Sequence, residues 1–272
     1  MPQIVFITGA SSGIGKETAF LLLKNGFTVY AAARRLDKMD DLKKAGAHIL
    51  KMDITQENDI VQAVEHLKKE AGRIDILINN AGFGMYGAME DTRIEDARYQ
   101  FEVNVFGLAR LTQLVLPMMR TQKKGKIINM SSMGGKIYTP LGSWYHATKH
   151  ALEGWSDCLR LEVKSFGIDV VIIEPGLILS EFGDVFIDPM MKRSGNSAYA
   201  DLAQKMERAS RDIYEKGNGS LASVVAKTIL KSIRASHPKT RYPVGKYARF
   251  GKFARRLLGD KLYDKALIWQ LK

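Results

Sequence analysis

The stretch Ile4-Val5-Phe6-Ile7-Thr8-Gly9-Ala10-Ser11-Ser12-Gly13-Ile14-Gly15 decides the fold. A short apolar, β-branched run reads as a strand, three glycines as a turn, and a helical pattern follows. In that order the backbone N–H groups of the turn and of the first helical turn converge where an anion can sit. Glycine lets the turn tighten and lets those N–H groups come close to a pyrophosphate. A lone glycine triplet carries little weight, but at the first strand–helix turn it marks a dinucleotide site. The competing reading is a tight turn with no ligand.

Outward from this unit the alternation repeats. Apolar runs at 3–8, 28–33, 48–52, 74–79, 126–130 and 169–174 predict strands, and helical patterns fill about 13–25, 37–45, 56–71, 92–121 and 144–166. Gly26, Gly46, Gly72, Gly125 and Gly167 stand where helices should stop, since glycine accepts a left-handed cap without a Cβ penalty. Near-continuous Val/Ile runs alternating with helices predict an α/β fold, a doubly wound parallel sheet of Rossmann type in a single domain. Residues 1–238 are expected to form the body, with a substrate loop at about 180–218, and 239–272 a basic amphipathic extension of the same domain.

With 272 residues, 46% of them hydrophobic, the chain can bury one sizeable core. Cys158 is the only cysteine, so no internal disulfide is possible, which suits a reducing compartment. No secretory signal pattern and no apolar run of roughly 18 residues is visible, so a cytoplasmic protein is expected. The net charge of +12 is concentrated: from Lys231 to Lys272 there are twelve Lys or Arg against Asp260 and Asp264. A tail of that kind suits a nucleic-acid binder or a protein resting on anionic lipid.

Arg34 lies nineteen residues past Gly15, at the end of the second predicted strand, with Arg35 beside it. An NAD site wants an acidic residue there to accept from the ribose hydroxyls, whereas a guanidinium fork attracts a 2′-phosphate. NADP(H) is therefore expected over NAD(H), with Asp37 as an acceptor only if the turn is longer. Further on, Tyr145-His146-Ala147-Thr148-Lys149 places Tyr145 and Lys149 on one helix face. A phenol of reference pKa about 10 shuttles protons poorly at neutral pH, and a nearby ammonium favours its ionised form. Tyrosine could then exchange a proton with a substrate oxygen. Alone, the pair could equally be a surface tyrosine beside a solvated lysine.

Taken with Asn79-Asn80-Ala81-Gly82, Asn104, Ser131-Ser132 and Pro175-Gly176, each placed at or after a predicted strand, these motifs resemble the short-chain dehydrogenase/reductase family, in its branch of roughly 250 residues. The resemblance covers about residues 3–235. It implies Tyr145 as general acid/base, Lys149 on the nicotinamide ribose, and Ser132 (Ser131 the alternative) on the substrate oxygen. It implies Asn104 as the holder of a water in the proton relay. On the same ground the cofactor would be lined by Gly9, Ser11, Ser12, Gly13, Ile14 and Gly15, by Arg34, Arg35, Asp53 and Ile54, by Asn80, Ala81 and Gly82, and by Pro175, Gly176, Ile178 and Ser180. Ser180 departs from the threonine usual there. A homodimer or homotetramer through the two long helices is also implied.

The five histidines show no metal-ligand spacing, and no metal site is expected. Met85, Met133, Met190 and Met191, with Phe83, Tyr86, Tyr138, Phe182 and Phe186, could line an apolar pocket or simply pack the loop bases. A pocket implies a hydrophobic alcohol or carbonyl substrate: steroid, retinoid, fatty or aromatic. Phe250, Phe253, Ala254, Leu257 and Leu258 form a helical stripe with Lys252, Arg255 and Arg256 opposite. The stripe is expected to pack on its own domain or a second subunit, with a peripheral membrane contact as the next reading. The activity expected is hydride exchange between NADP(H) and an alcohol or carbonyl. The rivals are a catalytically silent dinucleotide sensor or scaffold, a nucleic-acid binder, and a nucleotide-sugar epimerase or dehydratase, for which the chain is short.

Overall fold

β1 (Ile4–Thr8) passes through the glycine turn into α1 (Gly13–Lys24), followed by β2 (Thr28–Ala33), α2 (Asp40–Lys44), β3 (His48–Lys51), α3 (Glu57–Ala71) and β4 (Ile76–Asn79). Then come α4 (Ile94–Phe101), α5 (Gly107–Gln122), β5 (Gly125–Met130), α6 (Ser143–Glu162) and β6 (Ile168–Pro175). The remainder holds β7 (Ile178–Leu179), α7 (Phe182–Ser194), α8 (Ala200–Glu215), β8 (Ser220–Leu221), α9 (Ala222–Arg234), β9 (Arg241–Val244) and α10 (Ala248–Gln270). The computed structural model describes residues 2–179 and 182–271. Ser180 lies outside the described residues, as do the side chains of Phe182, Lys252 and Arg256.

Seven strands form one parallel sheet in the order β3-β2-β1-β4-β5-β6-β9. The apolar runs are continuous because both faces are covered. Val5, Ile7, Ile76, Ile78, Ile128, Val171 and Ile173 point to the side of α1 and α9. Their alternates Phe6, Leu77, Ile127 and Val170 meet Leu67 of α3, Leu111 and Val115 of α5 and Leu159 of α6. Alternation along each strand thus feeds two cores. β1 lies between β2 and β4, so the chain changes winding direction beside it. Doubly wound sheets bind their ligands at the carboxyl edge of that reversal.

The predicted Rossmann-type architecture is what the chain adopts, with several local differences. Gly26, Gly46, Gly72 and Gly167 do take positive φ at helix ends. Gly125 does not: Lys123 supplies the left-handed residue after α5, at φ 51°. Glycine is needed at 125 for space instead, since a Cβ there would lie 2.5 Å from the Met119 sulfur. The helix expected over 92–121 is interrupted by a wider π turn at Glu102–Phe106. The boundary drawn at 239 is also corrected. Arg241–Val244 is the seventh strand of the sheet, at an edge where Pro243 can be tolerated, so the tail begins inside the body. Among the described residues, no helix is long and apolar enough to cross a membrane.

Candidate active site

A cleft of about 790 Å³ opens along the carboxyl ends of β1, β2, β4, β5 and β6. Its first half is the glycine turn. Gly9 has φ 67°, and a Cβ there would lie 2.8 Å from the Ala81 Cα; a Cβ on Gly15 would lie 2.3 Å from the Gly9 carbonyl oxygen. The turn is thus pressed against the loop after β4, which fixes it. Thr8, not singled out from sequence, holds the two together: its hydroxyl accepts from the N–H groups of Asn80 (3.1 Å) and Ala81 (3.0 Å). Asn80 returns the contact, its Nδ2 donating to the carbonyls of Thr8 (2.9 Å) and Gly9 (3.1 Å). Ser12 begins α1 without a side-chain cap on the helix, so the first-turn N–H groups face the cleft. A dinucleotide pyrophosphate fits this cradle.

Arg34 and Arg35 both line the cleft at the end of β2. Arg35 donates to the hydroxyls of Ser11 and Ser12 at 3.3 Å, and Arg34 to the Tyr99 hydroxyl at 2.9 Å. The Arg34 guanidinium is 3.8 Å from Asp53, whose other oxygen accepts from the Thr55 N–H (3.0 Å) and hydroxyl (2.9 Å). Asp37 is exposed and does not line the cleft. Ile54, Ala81, Gly82, Pro175, Gly176 and Ile178 line it as expected.

In the second half, α6 brings Tyr145 and Lys149 to one wall, and the turn after β5 brings Ser132 opposite. Ser132 is hydrogen-bonded to Tyr145, and its oxygen also accepts from the Gly134 N–H at 3.0 Å. Of the two adjacent serines, it is Ser132 that meets Tyr145. Ser131 is buried, and its hydroxyl has no hydrogen-bond partner among the described residues. Lys149 is buried and donates to the Met130 carbonyl at 2.8 Å. Burial lowers its pKa to about 8, with Glu153 opposing. Burial pushes Tyr145 up, and Ser132 partly offsets this. Each group is therefore held toward its neutral form, poised to share a proton with whatever charge enters the cleft.

Two supports lie behind this wall. Asn104 does not line the cleft: it is fully buried in the π turn. Its Nδ2 donates to the Phe83 carbonyl (2.9 Å) and the Thr148 hydroxyl (3.0 Å), and its Oδ1 accepts from the Phe83 N–H (3.1 Å). The amide thus braces Phe83 and α6. The second support is His146, one of the five histidines that show no metal-ligand spacing. Its Nδ1 meets the Gly134 carbonyl at 2.9 Å and its Nε2 accepts from the Thr139 N–H at 3.0 Å. Burial lowers its pKa, so the neutral ring joins the Ser132 turn to α6.

The far end of the cleft is apolar. Phe83, Tyr86, Met133 and Phe186 line it as expected, together with Met206, Ile213 and Tyr214 of α8, which sequence reasoning missed. Tyr86 is wedged between Tyr145 and Phe186, ring centroids 5.7 and 4.9 Å away. Met85 and Met190 are buried in packing, Met191 packs beside Met190, and Tyr138 turns away to donate to Asp264 at 2.8 Å. Those four do not form the pocket. The sequence reads as a substrate loop over about 180–218, and that reading anticipates neither α8 nor the face it turns to the cleft.

A family model described as short chain dehydrogenase matches residues 3–187. A 3-ketodihydrosphingosine reductase from Bacteroides thetaiotaomicron is 38% identical over 98% of this chain and 97% of its own. An NADPH-dependent 3-dehydrocapnine reductase from Ornithobacterium rhinotracheale is 33% identical over 98% of this chain and 96% of its own. The crystal structure of a short-chain dehydrogenase from Streptomyces avermitilis superposes with a TM-score of 0.81 at 31% identity, covering 99% of this chain and 96% of that one. The chain belongs to the short-chain dehydrogenase/reductase family and is an oxidoreductase that acts on CH–OH groups with NAD or NADP.

Proposed function

We propose that this protein is an NADPH-dependent reductase of a ketone carried on a long-chain, lipophilic molecule. The observation that carries the reading is the continuity of the cleft: Ser132, Tyr145 and Lys149 stand between the cradle and a pocket of Phe83, Phe186, Met206 and Ile213. A polar head at the serine and tyrosine and an apolar chain along α7 and α8 would satisfy both halves. Support comes from two relatives named as a 3-ketodihydrosphingosine reductase and a 3-dehydrocapnine reductase. For NADPH, support comes from Arg34 and Arg35, which line the cleft at the end of β2 where a 2′-phosphate would lie, and from the name of one relative.

A bound nicotinamide supplies the hydride in the reductive direction. Ser132 would hold and polarise the substrate oxygen, and Tyr145 would give it a proton. The Lys149 ammonium, on the same face of α6, stabilises the phenolate left behind. Water would be kept out by Tyr86, which packs on Tyr145, and by Phe186 behind it. The same reading takes the protein as a homodimer or homotetramer through α4–α5 and α6, where Phe106 and Leu161 are exposed.

The test is NADPH oxidation with 3-ketodihydrosphingosine, a steroid ketone and a small aldehyde, beside Tyr145→Phe. Turnover of the long-chain ketone, reduced on the order of 10² to 10⁴-fold in the variant, is expected. Tight NADPH binding with no turnover of any lipophilic ketone would overturn the substrate class and favour a sensor that keeps the fold.

A further inference from the structure

We propose that α10, with the cavity at its base, is a docking face for an anionic lipid bilayer. Sequence periodicity suggests that this helix buries its apolar stripe. The structure turns it the other way. Phe250, Phe253 and Leu257 are 69%, 62% and 65% exposed, and past a break at Gly259 (φ 64°, ψ 179°) Leu262, Ile268 and Trp269 are exposed as well.

Before the break, what faces the body is small or polar; past it, Tyr263 is buried. Ala248 is buried, and Gly251 sits over Ile137. Arg255 lies over the rings of Tyr138 and Tyr263, at 5.1 and 5.6 Å, and pairs with Asp260. A soluble helix normally shows the reverse arrangement.

Charge selects the occupant. From Lys246 to Lys272 the chain carries eight Lys or Arg against two Asp. At the foot of α10, a cavity of about 550 Å³ adds Lys231 and is lined also by Arg249, Tyr247 and Phe250. A second copy would have to bring the same cationic patch against itself, since a two-fold contact pairs like with like. Nucleic acid would pair with the cations but gain little from Leu257, Leu262 and Ile268. An anionic bilayer satisfies both, with phosphates on the cations and acyl chains around the stripe.

The face also sits beside the chemistry. A Cβ on Gly176 would lie 2.0 Å from the Lys246 carbonyl oxygen and 2.8 Å from the Ala248 N, so the start of α10 is packed on the Pro175-Gly176 turn of the cleft. A docked helix would hold that wall against the membrane. The inference concerns the surface and stands whatever substrate the cleft takes.

The test is co-sedimentation of the full chain with vesicles of phosphatidylcholine alone and of phosphatidylcholine with phosphatidylglycerol. Light scattering and NADPH binding would be run on the same samples. Binding to the anionic vesicles only, weakened about tenfold or more in roughly 0.5 M salt, is expected. The double variant Phe253→Glu, Leu257→Glu should bind NADPH as the parent does, showing it is folded. It should lose vesicle affinity by roughly tenfold or more.

Four results overturn the proposal. One is no vesicle binding by the parent. Another is undiminished binding by the folded double variant. The third is an oligomer that the double variant breaks while vesicles go unbound, which would put a second copy on the stripe. Binding of a DNA duplex in preference to the vesicles, undisturbed by the double variant, would instead assign the charge to nucleic acid and also reject it.

Discussion

Lys149→Met tests whether the site is held at a cost to stability. Burial lowers the Lys149 pKa from the usual 10.5 to about 8. At about 1.4 kcal/mol per pH unit, that gap is roughly 3 kcal/mol against the folded protein whenever the lysine is charged. Between pH 8 and 10.5 the unfolded chain binds the extra proton, so stability from this group rises with pH across that window. Below it the penalty is present in full. Methionine has a similar length and no charge, so it removes the penalty but leaves the Met130 carbonyl without its 2.8 Å donor. An unpaired carbonyl costs about 1–2 kcal/mol. Glu153 keeps a partner in either case, since Lys136 (2.8 Å) and Arg241 (3.0 Å) both reach it. The net expectation is a variant about 1–2 kcal/mol more stable than the parent at pH 7, with the advantage gone near pH 10.5. Urea unfolding without nucleotide, at pH 7 and near pH 10, measures it, with turnover followed in parallel. Turnover should fall by roughly 10² or more, because the phenolate of Tyr145 loses its ammonium. A variant less stable than the parent at pH 7, or an offset identical at both pH values, would refute the reasoning.

Two further expectations concern the cofactor half. Arg34→Asp should lower the ratio of NADP to NAD efficiency by about tenfold or more, since it replaces a phosphate donor with a ribose acceptor. Steady-state kinetics with both nucleotides would show it, and an unchanged ratio would argue that Arg34 does not read the 2′ position. Gly15→Ala would set a methyl group 2.3 Å from the Gly9 carbonyl oxygen and 2.5 Å from Asn80 Nδ2. Forcing that turn open should cost about 1–3 kcal/mol of stability and weaken nucleotide binding, as read by fluorescence titration. A variant with unchanged affinity would show that the cradle tolerates a looser turn.

Much of the scaffold was legible because it depends on short-range rules. Strand runs, glycine caps and the spacing of Tyr145 and Lys149 all act within a few residues, where backbone geometry dictates what faces what. The carboxyl edge of the sheet then follows from strand–helix alternation, and with it the place of the cradle and the catalytic face. What escaped depends on closure over long separations. Thr8 reaches Asn80 and Ala81 across more than seventy residues. Asn104 likewise reaches Phe83 and Thr148 across separations of twenty-one and forty-four residues.

The sequence by itself determined the class of fold, the dinucleotide turn, the Tyr145–Lys149 face and the charge of the tail, all set by local pattern and composition. Only the tertiary structure decided which serine meets Tyr145, which face of α8 lines the substrate cleft, and that Arg241–Val244 closes the sheet. It also decided that α10 turns Arg255 inward and its phenylalanines outward. A periodic stripe says that a helix has two faces, but which face is covered depends on the partner surface, here Ile137 and the ring of Tyr138, that folding brings beneath it.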